Sequence, residues 1–534
     1  MHALDYAHDV ELAIDSNEIA TCVGEYELAV LAGIATIYGA VLRPESGKKR
    51  IYAPSTQALP QIQARQDGTV IRLFSVKPSI RKLEKLSPHF RNIVTHNERS
   101  FALLKSSDED GLQRSLTPLE IDKEMDVVLR TLSAKVMVEP RKPRIMAVGA
   151  KSSGKSTFNR VLCNHIQSWT PAAKCLYLDL DPGQPEFSPA GQISLVEVAT
   201  PLLGPAFTHF ARGDSSGLRM IRSHTIAATS FKHDPDHYRD CALDLIRYAD
   251  ANLPLITNAC GWVNGLGATV LTELASLLQI SDLVLLEPLD TEFVEPLQAG
   301  ANGAALHRIP RQPPKPSSRT PAEQRSMQTM AYFHQRGTST NETLFSSKPL
   351  SRARPYAVSY AGKGQSILAI ASYGQSPKPE FLSEVLDGSI VAIVVLNAGQ
   401  AATYSEAVAR TSEDLPFLLP HSDGTHRSIE PRHSSCIGLA LIRGIDIESK
   451  QLHLVTPLGE NDVVALAERD VVLVRGSFDP PEWAYLEDLY HDGDSNTDDT
   501  DRPWVNKREM VGIEGAVWRL RHPPLPPSNN APAR

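Results

Sequence analysis

Residues 149–157 read GAKSSGKST and fit the pattern G-x-x-x-x-G-K-[ST]. These residue types suit the holding of phosphates. Gly149 and Gly154, with the small Ala150, Ser152 and Ser153 between them, let backbone N–H groups close around phosphate oxygens, and the start of a helix adds its positive dipole end. Lys155 is the residue to reach the β- and γ-phosphates, and the Ser156 hydroxyl the one to sit on Mg²⁺. Lys151 and Thr157 complete the nucleotide-binding set. Downstream, residues 177–184 (YLDLDPGQ) form an apolar stretch that ends in acids. Carboxylates at a strand end behind a phosphate loop hold Mg²⁺ and orient the attacking group, and one within hydrogen-bond reach can take the proton of an attacking hydroxyl. Asp181 is assigned to the acceptor hydroxyl and Asp179 to the Mg²⁺ shell. An Asp-Pro-Gly turn needs no such role, but the loop upstream weighs against so plain a reading. The chemistry implied is phosphoryl transfer from a nucleoside triphosphate.

Such groups must be carried by a sheet and its helices. From Arg144 to about Pro288 the pattern alternates between short apolar runs and helical spacing. Strands are expected at Ile145–Val148, Cys175–Leu180, Ile193–Val198, Leu253–Asn258 and Leu283–Leu286. Helices are expected at Thr157–Ile166, Asp236–Asp250 and Gly267–Leu278. This predicts an α/β P-loop kinase domain with a parallel sheet, helices on both faces and a site at the strand C-termini. The unit is drawn at 138–340, with a lid at about 300–337. Within that lid Gly300–Thr320 reads as mobile and Pro321–Gln335 as a helix carrying Arg325. Residues 1–137 read as a β-rich domain, with strand-like runs at Ala29–Leu42, Lys49–Ala53 and Thr69–Val76. A helix over Leu116–Leu132 leads from it into the proline-marked linker 139–143 (EPRKP). Residues 341–534 read as a second β-rich domain, with strands at Ser366–Tyr373, Ser389–Leu396, Ile437–Ile442 and Gln451–Thr456. It ends in an acidic insert, Asp492–Asp501, between aromatic patches, and a disordered tail after Pro523.

The chain has 534 residues, enough for two to four domains, and a net charge of −8, so binding of nucleic acid requires a local basic surface rather than bulk attraction. Six scattered cysteines without a C-x-x-C pair argue against zinc and a disulfide framework, and for a reducing compartment. The sequence lacks an apolar run of roughly 18 residues, so a membrane span is not expected. The amino terminus lacks the basic start and apolar run of a signal peptide.

Residues 149–158 and 179–191 (DLDPGQPEFSPAG) together closely resemble the eukaryotic polynucleotide 5′-hydroxyl kinases of pre-ribosomal RNA processing, a family whose sister group is the RNA kinase of mRNA cleavage and polyadenylation. The likeness extends over nearly the whole chain: 37–40 (IYGA), 52–56 (YAPST), 201–209 (PLLGPAFTH), 229–238 (TSFKHDPDHY), 258–267 (NACGWVNGLG), 330–334 (MAYFH), 438–446 (GLALIRGID) and 483–488 (WAYLED). Lys151 within the loop favours the ribosomal branch. The resemblance implies ATP and Mg²⁺ on Lys155, Ser156 and Thr157, with Asp179 and Asp181 flanking the metal and an RNA 5′-hydroxyl. It also implies RNA contacts from Gln184 and from Trp262, which would stack on the terminal base as stacking on any base allows. Arg325, with Arg319 beside it, would close over the transferred group and stabilise its charge. A HEPN-class endoribonuclease as partner in a hetero-oligomeric complex, and a nuclear and nucleolar location, are implied in the same way. The stretch Trp483–Trp504 is the expected partner surface. The chain departs from the family at Ala259, where threonine is usual, and in lacking a long basic amino-terminal extension.

Other constellations read as bland. His233 and His237 have metal-like spacing, but Asp234-Pro235 lies between them and they do not share a helix face. The run Asp492–Asp498 lacks the glycine and closing glutamate of a calcium loop. Residues 506–509 (NKRE) lack the aspartate of a guanine-reading motif. Two other classes stay open on the residues alone: a scaffold that binds ATP without transfer, and a P-loop kinase for a small molecule or a GTPase-like switch.

Overall fold

A computed structural model describes residues 2–491, apart from 7, 17, 96–97, 105–109, 170–173, 212–216, 312–318 and 340–341. The acidic insert, Trp504 and the tail therefore lie outside the described residues. The central sheet has seven strands in the order Leu218–Thr225, Gln192–Val198, Cys175–Asp179, Leu255–Asn258, Arg144–Gly149, Asp282–Glu287 and Ala305–Pro310. Alternate residues of its strands face opposite layers, as the period of two requires. Ile145 and Ala147 pack with Val161, Leu162 and Ile166 of the helix Lys155–Trp169. Met146 and Val148 pack with the helices Pro235–Ile246, Gly265–Leu277 and Thr291–Gly300. Both faces are covered, and the inner strands are correspondingly apolar along most of their length, whereas the edge strands Leu218–Thr225 and Ala305–Pro310 are not.

The expected α/β sheet with helices on both faces is present, but its parallel part is flanked at one edge by two antiparallel strands. The five strands from Cys175–Asp179 to Ala305–Pro310 run parallel, whereas Gln192–Val198 pairs antiparallel with Cys175–Asp179, and Leu218–Thr225 antiparallel with Gln192–Val198. The reason is the connection: residues 180–191 hold a compact turn with no helix in it, so the chain reverses instead of crossing over. The expectation that Gly300–Thr320 is mobile is also corrected. Its described part contains the edge strand Ala305–Pro310, which pairs over its whole length with Asp282–Glu287.

Residues 2–104 contribute a nine-stranded antiparallel sheet. The helix Lys123–Val138 follows, starting where the Asp122 side chain accepts from the Met125 N–H at 2.7 Å, later than the helix read from spacing over Leu116–Leu132. The core of this sheet is continuous with that beneath the helix Lys155–Trp169, so the amino-terminal sheet forms the outer wall of the phosphate loop's own layer. Residues 356–475 contribute an eight-stranded mixed sheet. Its core includes Met327, Met330, Ala331 and Phe333 of the lid helix Pro321–His334, together with Ile80, Leu83 and Phe90 from the amino-terminal side. That helix opens on a full capping box: Thr320 Oγ1 accepts from Glu323 N, and Glu323 Oε2 accepts from Thr320 N at 2.5 Å. Among the described residues no helix is long and apolar enough to cross a membrane.

His237 lies at the seam between the central and carboxy-terminal sheets. Its ring meets Tyr373 edge-on at 5.3 Å, and Nε2 sits 3.3 Å from the Thr225 carbonyl oxygen. Burial lowers its pKa from 6.5 to about 4, against the pull of Asp234. A base whose folded pKa is below its unfolded value supports the fold fully above the unfolded value, and that support is lost as pH falls toward the folded one. The shift corresponds to roughly 3 kcal/mol. Thermal melting should therefore drop more steeply from pH about 7 to about 5 in the wild type than in His237→Gln. Parallel pH profiles would show that His237 does not titrate across unfolding.

Candidate active site

The loop 150–154 curls because Ser152 and Gly154 adopt positive φ, +61° and +104°, which turns successive N–H groups inward. Lys155 then begins the helix. Its side chain is 7% exposed, and its ammonium donates to the Gly149 and Ala150 carbonyls at 2.9 and 3.0 Å. Burial lowers the Lys155 pKa, opposed by the charge of Asp181 and by Cys260. The reciprocal effect holds at Asp181: burial raises its carboxyl, and Lys155, two backbone N–H donors and Lys151 pull it down. Asp181 Oδ1 accepts from Gly183 N at 2.9 Å and Gln184 N at 3.2 Å, so the Asp-Pro-Gly turn is real and also aims its carboxylate toward the phosphate loop's lysines.

Between loop and acids stands Asn258, fully buried at the end of the strand that separates the other two. Its Nδ2 donates to Asp179 Oδ1 at 2.9 Å, while its Oδ1 accepts from Asn159 Nδ2 at 3.3 Å and from the Ser156 hydroxyl at 3.4 Å. The other oxygen of Asp179 accepts from Glu186 N at 2.5 Å. Asp179 is itself fully buried, and burial raises its pKa to about 8 despite these two donors. Glu186 in turn accepts from Arg160 Nε at 2.9 Å and His209 Nε2 at 2.8 Å. Its burial would raise its pKa, but Arg160 and His209 outweigh that and hold it low.

A cavity of about 240 Å³ opens beside this relay, lined among others by Ser156, Thr157, Arg160, Gln184, Gln324 and Arg325, with Thr56 and Gln57 from the connection between the amino-terminal strands Lys49–Ala53 and Gln61–Ala64. Gln184 Nε2 donates to Gln324 Oε1 at 3.2 Å, and Gln328 Nε2 donates to the Pro185 and Ser188 carbonyls at 2.6 and 2.7 Å, which ties the lid helix to the loop after Asp181. Of the expected site residues, Ser156, Thr157, Gln184 and Arg325 line this cavity; Lys155, Asp179 and Asp181 lie behind it, Asp179 joined to Ser156 through Asn258 and Asp181 interacting with Lys155 by charge. The structure does not bring Arg319 or Trp262 to the lining of that cavity. Arg319 donates through Nε and Nη2 to the His89 carbonyl at 3.1 and 2.8 Å. Trp262 is half-buried, its ring stacked on Phe231 at 5.5 Å, and Phe231 stacks on Tyr238 at 4.4 Å. Asn258, Glu186, Arg160 and Gln57 escaped the sequence reading. A polar residue closing the apolar strand 255–258 (LITN) was a usable signal for Asn258; nothing local marked the others.

The donor set suits a small hard cation, since a serine hydroxyl and carboxylates are oxygen ligands of the kind Mg²⁺ takes. Among the described residues no cluster of three His, Cys, Asp or Glu side chains is arranged to cage a metal alone, and Mg²⁺ ordinarily relies on one or two carboxylates plus the nucleotide's phosphates.

An α/β sheet with five parallel strands, a phosphate loop on the middle one of the five and acids on the second strand away define a P-loop phosphotransferase, a nucleotide-binding kinase. Residues 149–335 match the family model for the P-loop of the mRNA cleavage and polyadenylation factor CLP1. The fold matches solved structures of Clp1p in complex with Pcf11p, with a TM-score of 0.55 at 16% identity over 89% of this chain and 99% of that one. Curated relatives run further. The chain is 36% identical over 568 residues to the polynucleotide 5′-hydroxyl-kinase grc3 of Aspergillus oryzae (90% of this chain, 68% of the relative). It is 36% identical to that of Aspergillus niger (88% and 66%) and 32% identical to that of Gibberella zeae (96% and 80%). The chain belongs to the Grc3 family of polynucleotide 5′-hydroxyl kinases. It spans 66–80% of the length of these relatives.

Gly261 offers a test of the loop's enclosure. A Cβ there would lie 2.8 Å from the Lys151 backbone and 2.9 Å from the Lys155 ammonium, so the segment 259–263 lies directly on the phosphate loop. Gly261→Ala should weaken nucleotide affinity by about tenfold, or about 1.4 kcal/mol, with little change in melting temperature. Titration with a fluorescent ATP analogue checks this, and unchanged affinity would show that the two loops can part freely.

Proposed function

We propose that this kinase transfers the γ-phosphoryl group of Mg·ATP in line to the 5′-hydroxyl of a cleaved RNA. The observation that carries the reading is the Ser156–Asn258–Asp179 relay, with Lys155 and Asp181 each countering the other's burial and with Ser156 and the lid Arg325 on one cavity. Loop N–H groups and Lys155 bind the triphosphate, and Ser156 with Asp179 serves the Mg²⁺ shell. When bound, the metal neutralises charge on the phosphates. Asp181, fixed by its own turn, orients the 5′-hydroxyl and accepts its proton. Arg325 at the cavity wall stabilises charge on the transferring group, since catalysis of this kind is chiefly positioning and electrostatics. Gln184 contacts the RNA end, and Trp262, backed by Phe231, stacks on the terminal base. Arg319 anchors the lid to the His89 carbonyl. The family likeness supports a place in pre-ribosomal RNA processing with a HEPN-class endoribonuclease that leaves the 5′-hydroxyl, in the nucleolus. Trp483 is buried in the carboxy-terminal core and so is not part of an exposed aromatic patch; the exposed Tyr485 and Leu486 on the helix Glu482–His491 support a partner surface there.

The decisive experiment is transfer of label from γ-labelled ATP to matched 5′-hydroxyl RNA and DNA oligonucleotides. Lys155→Ala should lower turnover by at least about 100-fold. Asp181→Asn should retain ATP binding and lose transfer; a near wild-type rate would remove Asp181 from proton acceptance. Trp262→Ala should raise the RNA KM by about 5- to 150-fold, the equivalent of about 1–3 kcal/mol of stacking. An unchanged KM would return Trp262 to the core. ATP binding without any transfer to either oligonucleotide would instead favour a nucleotide-binding scaffold.

A further inference from the structure

The segment Gly476–Asp479 leaves the eight-stranded sheet after its strand Val471–Arg475 and crosses onto the central domain. It is seated there at close range. Ser477 forms a parallel bridge with Ala228. A Cβ on Gly476 would fall 2.0 Å from the Ala227 carbonyl oxygen, so only glycine lets the two backbones meet. The Phe478 ring covers Gly191, where a Cβ would lie 2.5 Å from its Cε1. Gly191 closes the same loop that Asp181 opens, and Gly191 N donates to the Pro182 carbonyl at 2.8 Å. The last residue of the segment, Asp479, pairs with Arg325: Nε donates to Oδ2 at 2.5 Å, and Nη2 lies 3.4 Å from Oδ1.

We propose that Asp479 is the positioning residue of the lid arginine, so that the carboxy-terminal domain supplies part of the active site's geometry. This rests on the reading of Arg325 as the charge-stabilising group. A guanidinium carries five N–H donors in a rigid fork. Asp479 grips its Nε/Nη2 edge, which fixes the plane of the fork and leaves Nη1 for the cavity that Arg325 lines. The Arg325 side chain is 18% exposed and that of Asp479 38%, so the pair is a partly solvated strut rather than a core ion pair. Its worth to folding is accordingly small, and its worth to the reaction lies in aim. A long arginine side chain without this strut samples many rotamers, and displacement of a reacting group by an ångström costs about 100-fold in rate. Because the strut is anchored in the other domain, a partner that shifts that domain changes kcat without touching ATP.

Asp479→Asn, which keeps shape and removes charge, should lower kcat by about tenfold or more. The KM values for ATP and 5′-hydroxyl RNA should stay within about twofold, and the melting temperature should be nearly unchanged. Asp479→Glu should recover part of the loss. In an Arg325→Ala background, Asp479→Asn should have no further effect. If Arg325→Ala itself leaves kcat intact, the reading of the lid arginine fails. If Arg325→Ala is slow and Asp479→Asn is not, or if the two losses simply multiply, the positioning role fails. A raised kcat in Asp479→Asn would also overturn it, since the contact would then restrain the arginine.

Discussion

One side-chain amide joins the halves of this site. Phosphate loop and acids reside on different strands, and the strand between them ends in Asn258. A parallel sheet sets neighbouring strand ends about 4.8 Å apart, so the middle strand's terminal side chain is the natural bridge. An amide is suited to that place because it donates on one side and accepts on the other. It therefore meets a hydroxyl and a carboxylate at once. A carboxylate there would repel Asp179, and an alkyl group would leave Asp179 fully buried with only the Glu186 N–H. From Asp179 the chain of contacts continues to Glu186, Arg160 and His209, and so into the layer shared with the amino-terminal sheet.

Much of this was legible because it is local. The phosphate loop, its strand and its helix are encoded by consecutive residues whose spacing has few other uses, and the acids follow within one short connection. The alternation of apolar runs with helical spacing revealed the central sheet, and a proline pair marked the start of its first strand. Two features of that sheet escaped notice. The antiparallel pair was hidden because a strand's sequence does not state its direction; only the missing crossover helix between residues 180 and 191 does. The edge strand Ala305–Pro310 is obscured in the sequence because it sits within Gly300–Thr320, a stretch rich in Pro, Ser and basic residues, and as an edge strand with half its residues exposed it carries no apolar pattern.

What stayed illegible is contact across distance in the chain. Arg325 and Asp479 are 154 positions apart, and the Arg222 guanidinium donates to the Pro431 and Ser434 carbonyls 209 and 212 positions away. Nothing in a local window foretells either. Gly476 and Gly191 look like ordinary turn glycines, yet both are sites where another segment lies against the backbone. Trp262 shows the converse difficulty. The resemblance gives its ring a ligand to stack on, whereas the structure shows a half-buried indole already stacked on Phe231. The two are compatible for an aromatic with two faces, and spacing does not distinguish them.

The lid helix Pro321–His334 sits where the three sheets converge. Gln328 binds the loop after Asp181, Tyr332 accepts the Leu439 N–H at 2.9 Å through its hydroxyl, and His334 Nε2 meets Glu487 at 2.6 Å. Its Met327, Met330 and Phe333 belong to the carboxy-terminal core rather than to that of the catalytic sheet. The middle third of the gene is therefore not a portable cassette. A fragment trimmed to the nucleotide-binding stretch would carry a greasy flank with nothing to cover it. Grafting this catalyst elsewhere would mean transplanting all three sheets together.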